Sequence, residues 1–132
     1  MGGGCMCRAV RYEATTPPSA FFLCHCRECQ YVSGGEPASV LVFPSAAIRR
    51  LKGELSRYVT VSEAGNRVTR LFCPTCGTPV FSELEAAPEI AIVKAGTLDD
   101  ARTLKPQAVV WTRSANAWAH LPLDLPHFEG NP

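Results

Sequence analysis

Seven cysteines in three groups are the residues of this 132-residue chain best suited to chemistry. The chain begins without the basic region and apolar stretch of a secretory signal, and disulfides seldom persist in proteins that are not secreted. An odd number of cysteines also cannot pair completely. Clustered cysteines in such a setting indicate metal ligands or redox groups. The three groups are Cys5-Met6-Cys7, Cys24-His25-Cys26-Arg27-Glu28-Cys29 and Cys73-Pro74-Thr75-Cys76.

The spacing of the first and third groups predicts a closed zinc site. Cys73 and Cys76 lie on a C-x-x-C turn, a zinc knuckle that supplies two ligands, and Gly77 lets the backbone fold back beneath them. A structural zinc needs four ligands, so a second pair must come from the first or the middle group. Choosing Cys5 and Cys7 leaves no cysteine unused. We therefore expect these four cysteines to hold a structural zinc that contributes to folding.

The middle group then supplies three thiolates, from Cys24, Cys26 and Cys29, and predicts a catalytic zinc. Three protein ligands plus an exchangeable fourth are typical of catalytic zinc. Because three thiolates leave the site soft and negatively charged, the metal activates water poorly but suits an exogenous thiol. A thiol bound to zinc loses its proton near neutral pH and remains nucleophilic. The predicted chemistry is addition of a thiol to a small electrophile, or the reverse.

Other interpretations of the middle group stay open at this point. His25 can complete a second closed site, although adjacent residues seldom bind one metal together because their side chains diverge. His120 or His127 can fill the same position from a distant part of the chain. A redox pair formed by Cys26 and Cys29 is a third alternative, and the absence of a βαβ pattern argues against it.

Composition limits the classes of partner. The formal net charge is +1, from 13 basic and 12 acidic side chains, and only 19% of the residues are charged. A balanced chain of this kind lacks the basic surface that binds nucleic acid or anionic membranes. No apolar run approaches the roughly 20 residues that span a bilayer. We expect a cytoplasmic protein with a small-molecule thiol as partner and with neither nucleic acid nor membrane; a homodimer is left open.

Short apolar runs separated by Gly, Pro and Ser predict a mostly β, antiparallel fold with few short helices. A helix is expected over 46–51, with Ser45 as its cap and Gly53 as its stop, and turns are expected at 27–32 and 99–102. One domain is predicted over residues 1–125, followed by a C-terminal tail at 126–132. Strands are predicted at 10–12, 20–23, 40–43, 58–61, 68–72, 80–84, 90–93 and 108–112.

Over residues 3–118 the sequence resembles the glutathione-dependent formaldehyde-activating enzyme family, also called the centromere protein V family. The resemblance implies a zinc-stapled β-tent built from small antiparallel sheets. The sequence differs from the family pattern at Arg8, where glycine is common, and at Val109, where a histidine is often found. Four segments carry it: G-G-C-M-C-R-A-V-R-Y-E at 3–13, C-H-C-R-E-C-Q-Y-V-S-G at 24–34, F-C-P-T-C-G-T at 72–78 and W-T-R-S-A-N-A-W at 111–118.

The resemblance also implies an activity. In the family, the first and third cysteine motifs hold structural zinc and the middle motif holds catalytic zinc, which agrees with the partition of cysteines above. The activity is carbon–sulfur bond formation and cleavage, from glutathione and formaldehyde to S-hydroxymethylglutathione. It predicts a lyase with two zinc ions and glutathione as co-substrate. The nascent alkoxide takes a proton from a nearby acid or from water, and Glu28 and His25 are the candidate acids. A non-catalytic glutathione carrier or protein-interaction module is the alternative.

Overall fold

β-Strands dominate the fold in the computed structural model, which describes residues 1–62 and 64–132. All eight predicted strands are confirmed, and two more, at the glycine-rich start and after residue 47, were not predicted. The strands are β1 (Gly2–Gly4), β2 (Arg11–Ala14), β3 (Ala20–Cys24), β4 (Ala38–Pro44), β5 (Ile48–Lys52), β6 (Ser56–Val61), β7 (Arg67–Phe72), β8 (Pro79–Leu84), β9 (Ile90–Lys94) and β10 (Ala108–Val110).

The described strands form two sheets. A three-stranded sheet has the order β1-β2-β5, and a seven-stranded sheet has the order β10-β3-β4-β9-β8-β7-β6. Every pairing is antiparallel except that of β10 with β3, which is parallel and places Val110 opposite Cys24. The interior strand β4 is apolar on both faces, as expected for a strand flanked on both sides, and Pro44 ends it. The predicted mostly β class is thus confirmed.

The main core joins residues from both sheets. Tyr12, on β2, is wholly buried; its ring meets that of Phe81 edge-on at 4.9 Å, and its hydroxyl lies 2.8 Å from the Thr97 hydroxyl. Strand β1 crosses this tyrosine so closely that a Cβ on Gly3 would lie 2.5 Å from the Tyr12 ring. Glycine at position 3 therefore lets the N-terminal strand pack on the core. The buried cluster contains Tyr12, Ala14, Leu41, Phe43, Leu71, Val80, Phe81, Val93, Ala95 and Leu98.

Helical structure is sparse. The turn predicted at 27–32 is confirmed as helix α1 (Arg27–Ser33), which ends at Gly34 in the left-handed conformation, with φ 85°. No helix in residues 1–62 or 64–132 has both the length and the apolar character of one that crosses a membrane. The turn predicted at 99–102 lies slightly later, where Leu104 donates to the carbonyl of Ala101.

The helix predicted over 46–51 is wrong beyond its first turn. Residues Ser45–Ala47 form one 3₁₀ turn, and the chain then continues as β5, which pairs with β2. The pairing satisfies backbone groups along β2 that a helix would leave without partners, and Ile48 packs against the main core. Tertiary pairing thus overrides the local helical signal.

The last residues run beside β10. Val109 donates to the carbonyl of Pro126 and accepts from the amide of Phe128, both at 2.9 Å, and Trp111 donates to Gly130. The segment predicted as a tail at 126–132 therefore makes backbone hydrogen bonds along the strand that neighbours β3.

Candidate metal centres

The first cysteine cluster brings together two loops that are distant in the sequence. Cys5 and Cys7 lie between β1 and β2, and Cys73 and Cys76 lie between β7 and β8; all four sulfur atoms are within 4.8 Å of one another. The Cys5–Cys7 and Cys7–Cys73 sulfur distances are 3.6 and 3.8 Å. Zinc–sulfur bonds of about 2.3 Å in a tetrahedron separate the sulfurs by about 3.8 Å. The donor set and its spacing therefore fit a tetrahedral zinc ion.

Backbone amides point at the sulfurs of this cluster. Val10 donates to the Cys5 sulfur at 3.2 Å, and Thr75 and Cys76 donate to the Cys73 sulfur at 3.4 and 3.5 Å. Such bonds favour the charged form of a thiol. The knuckle closes at Gly77, whose φ of 77° lets its amide reach the carbonyl of Cys73. The backbone of both loops thus holds the Cys5 and Cys73 sulfurs in place.

Thr78 extends this support to the fourth cysteine. Its hydroxyl oxygen accepts the amide of Met6 at 3.2 Å, so its own hydrogen is available to the Cys76 sulfur 3.1 Å away. This hydrogen bond is the largest of several that together lower the pKa of Cys76 to about 5. Thr78 therefore links the two cysteine loops and stabilises a thiolate. The sequence reasoning did not assign it, although its position two residues after the knuckle is a usable signal.

Arg8 occupies a strained position in the first loop. Its φ is 67°, in the left-handed region, and its amide donates to the carbonyl of Cys5 at 3.1 Å. A side chain in this conformation crowds the backbone, whereas glycine does not. The geometry explains why glycine suits this position in the family that the sequence resembles.

The second cluster contains three cysteines. Cys24 ends β3, Cys26 is the N-cap of α1, and Cys29 lies in its first turn; their sulfurs are within 4.8 Å of one another. Cys24 and Cys29 are buried, whereas Cys26 is partly accessible. In residues 1–62 and 64–132 no further Cys, His, Asp or Glu joins these three within that distance. The structure thus brings the predicted residues together as a set of three.

The three thiols are electrostatically coupled. Hydrogen bonds from Cys24 and Cys29 lower the pKa of Cys26, and the corresponding interactions with Cys26 and Cys29 raise the pKa of Cys24. One thiol of the set ionises readily, and its charge opposes ionisation of the next. A divalent cation removes this opposition, since it attracts all three thiolates at once. The donor chemistry therefore fits a soft divalent metal such as zinc.

A buried glutamine fixes the loop that carries this cluster. Gln30, only 2% exposed, donates from Nε2 to the carbonyls of His25 and Ser114, both at 2.8 Å. Its Oε1 accepts from Asn116 at 3.0 Å, and Asn116 also donates to the carbonyl of Gly35. These bonds tie Gln30 and the turn after α1 to Ser114 and Asn116, and they hold the carbonyl of His25 against the helix. They give the motif at residues 111–118 a structural role, which the sequence alone did not indicate.

The histidine alternatives do not join the cluster. His25 is 1% exposed, and its Nε2 has no hydrogen-bond partner among the described residues. His127 lies elsewhere, with Nε2 2.6 Å from the carbonyl of Pro122, and His120 is likewise outside the three-sulfur set. Glu28, the other predicted proton donor, forms an ion pair with Arg70 at 2.5 Å.

Two basic residues lie beside the three-cysteine cluster, and sequence reasoning missed both. Lys94, at the end of β9, is partly buried, and this burial lowers its pKa while the charge of Cys29 opposes the shift. The charge of Arg70, on β7, in turn contributes to lowering the pKa of Cys26. A single charge at the end of an apolar strand was the available signal for Lys94.

Comparisons with known proteins agree with this architecture. A family model described as glutathione-dependent formaldehyde-activating enzyme matches residues 1–114. The crystal structure of a Rhodobacter sphaeroides protein from a structural genomics programme is similar, with a TM-score of 0.63 and 20% sequence identity over 97% of this chain and 99% of that one. At such low identity the likeness shows the fold alone. No curated protein matches the sequence significantly.

Proposed function

Because this chain belongs to the glutathione-dependent formaldehyde-activating enzyme family, we propose that it forms and cleaves the carbon–sulfur bond between a thiol and a small aldehyde, with glutathione and formaldehyde as the substrates. One observation supports this proposal above all. The second cluster offers three cysteine ligands, and no fourth ligand accompanies them in the described part of the chain. Three-ligand zinc sites are those that accept an exogenous ligand.

Each group of residues has a distinct part in this proposal. Cys24, Cys26 and Cys29 hold a zinc ion, which supplies the capacity to keep a bound substrate thiol deprotonated yet nucleophilic near neutral pH. Gln30 keeps the cysteine-bearing loop in place through its bonds to His25 and Ser114. The partly accessible Cys26 marks the side from which a substrate approaches, since the other two cysteines are buried.

The reaction balances without an oxidant or reductant. The thiol sulfur forms a bond to the aldehyde carbon, the π electrons of the carbonyl move to oxygen, and the proton given up by the thiol ends on that oxygen. His25 is too deeply buried to deliver the proton, and Glu28 is engaged by Arg70. We therefore assign this proton transfer to solvent.

The four-cysteine cluster has a structural part in the proposal. With zinc bound, it would join the loop at residues 5–7 to the loop at residues 73–76, which the hydrogen bond from the Met6 amide to the Thr78 hydroxyl also links. The proposed setting is the cytoplasm, where thiols remain reduced and glutathione is the abundant thiol.

Replacing one ligand of the three-cysteine cluster tests the proposal. Cys26→Ser should lower the protein-catalysed exchange between glutathione, formaldehyde and S-hydroxymethylglutathione by about a hundredfold or more, because a zinc ligand is lost. Exchange NMR at equilibrium measures this rate above the spontaneous one. Ser33→Ala, on the same helix, is the matched control and should keep the wild-type rate.

Two results would count against this function. Wild-type exchange rates in a folded Cys26→Ser variant would remove the role of the cluster. Calorimetric binding of glutathione to the zinc-loaded wild type, without any rate above the spontaneous reaction, would instead identify a glutathione carrier.

A further inference from the structure

A pocket of about 290 Å³, at the lower end of the range for small-molecule sites, has helix α1 in common with the three-cysteine cluster, although none of the three cysteines lines it. Helix α1, which carries Cys29, contributes Tyr31 and Val32 to its wall, and the other walls come from strands β6 to β9 of the large sheet and from Gly77, in a loop of the four-cysteine cluster. Two tyrosines, Tyr31 and Tyr58, stand at the exposed side, with 80% and 65% of their surface accessible. The pocket is therefore open to a ligand from solvent.

The charge of this pocket is entirely positive. Among the residues that line it, Arg70 and Lys94 are charged, and no carboxylate is present. Arg70 already has partners, since it donates to Glu28 at 2.5 Å and to the Thr60 hydroxyl at 2.8 Å. None of the ion pairs found within residues 1–62 and 64–132 involves Lys94. A partly buried ammonium that no Asp or Glu side chain neutralises is costly, and an anionic ligand would offset the part of that cost that the neighbouring cysteine thiolates leave.

Lys94 also faces the cysteine cluster electrostatically. On β9 it pairs with Val40 of β4, which packs in the buried cluster that contains Cys24 and Cys29, and its charge acts on all three cysteines. Three thiolates on one divalent ion leave a net negative charge, and a substrate thiolate increases it. The charge of Lys94, near both the pocket and the sulfurs, therefore favours a ligand that brings a sulfur to the cluster and a second negative group to the pocket.

We propose that Lys94 binds the carboxylate of the thiol substrate in this pocket, so that the site selects thiols that carry a carboxylate. The inference rests on the proposed function, because it assumes a thiol at the three-cysteine cluster. Lys94 supplies the charge, and Tyr31 and Tyr58 cover the part of the ligand that links its carboxylate to its sulfur. Uncharged thiols lack this second point of attachment.

Calorimetry on the zinc-loaded protein tests the assignment with three thiols: glutathione, glutathione diethyl ester and 2-mercaptoethanol. Lys94→Met should weaken the binding of glutathione about tenfold or more, since a charge-assisted bond is lost, and should leave the other two within about threefold. Lys94→Arg should retain most of the affinity for glutathione. Lys52→Met, an exposed lysine on β5, is the matched control and should change nothing. Zinc content is measured for every variant.

The wild type alone gives a second test that does not depend on how the variant folds. It should bind glutathione about tenfold more tightly than the diethyl ester, and the difference should shrink as salt rises. Equal affinity for acid and ester would overturn the inference, as would a Lys94→Met variant that weakens both equally or neither. If the wild type catalyses exchange in such a case, the proposed function stands and only the inference fails. If the wild type binds none of the three thiols, both fail.

Discussion

Removing a ligand from the two clusters should have unequal effects on stability. In the four-cysteine cluster, Cys7 and Cys73 are 66 residues apart in sequence, whereas the three-cysteine cluster spans only positions 24 to 29. A metal that joins distant residues restricts the unfolded chain far more than one that joins neighbours. We therefore expect Cys73→Ser to destabilise the protein more than Cys26→Ser.

The size of the difference follows from the lengths of the two loops. Loop-closure entropy scales as (3/2)RT times the logarithm of loop length, so closing a 66-residue loop rather than a five-residue loop changes the free energy of unfolding by about 2 kcal/mol. The loss of packing acts in the same direction, because Cys73 is wholly buried and Cys26 is partly accessible. For a domain of ordinary stability this is a large share of the total.

Urea titration followed by far-UV circular dichroism measures the effect, with zinc and a non-thiol reductant present when the two variants are compared. The midpoint of Cys73→Ser should lie about 1 M urea below that of Cys26→Ser. Chelation of zinc from the wild type should lower the midpoint at least as far as Cys73→Ser does, since both clusters are then emptied. Equal midpoints for the two variants, or a lower one for Cys26→Ser, would refute the assignment of the structural role to the four-cysteine cluster.

Two further predictions concern the loops of that cluster. Thr78→Val should weaken zinc binding about ten- to a hundredfold in competition with a chelator, because the hydroxyl that supports the Cys76 thiolate is lost; Thr78→Ser should bind as the wild type does, and an unchanged Thr78→Val would contradict the role. Arg8→Gly should raise the free energy of unfolding by about 0.5–1 kcal/mol in urea titration, because it relieves a left-handed backbone at φ 67°; a loss of stability would show that the Arg8 side chain makes a compensating contact.

Much of the fold could be predicted from local sequence pattern, and the strands that were not predicted depend on contacts with distant residues. Apolar runs ended by Pro or Gly gave the eight predicted strands. β1 was not predicted because three glycines carry no side-chain pattern. The reason for glycine is evident only in the fold, where Gly3 lies too close to the Tyr12 ring for any side chain. β5 was read as a helix because the hydrogen-bonding partner that makes it a strand lies in β2, more than 30 residues earlier.

The candidate sites divide in the same way. Cysteine spacing was sufficient to divide the seven cysteines into the two sets that the structure brings together, since ligand counting depends on few residues. The supporting residues were not predictable. Thr78 and Gln30 act through hydrogen bonds with Met6 and Ser114, and Lys94 acts through its charge on the three cysteines. All of these partners are distant along the chain, and neither composition nor periodicity records them.

Because β10 pairs with β3, the surroundings of the three-cysteine cluster are synthesised later than the four-cysteine cluster. All four cysteines of the first cluster have been translated once residue 76 is made. The loop at Cys24 gains its neighbours Val110, Ser114 and Asn116 only when nearly the whole chain has left the ribosome. A nascent chain can therefore load its first metal while the second binding loop is still unsupported, and a truncation near residue 105 would spare one centre and leave the other without its brace.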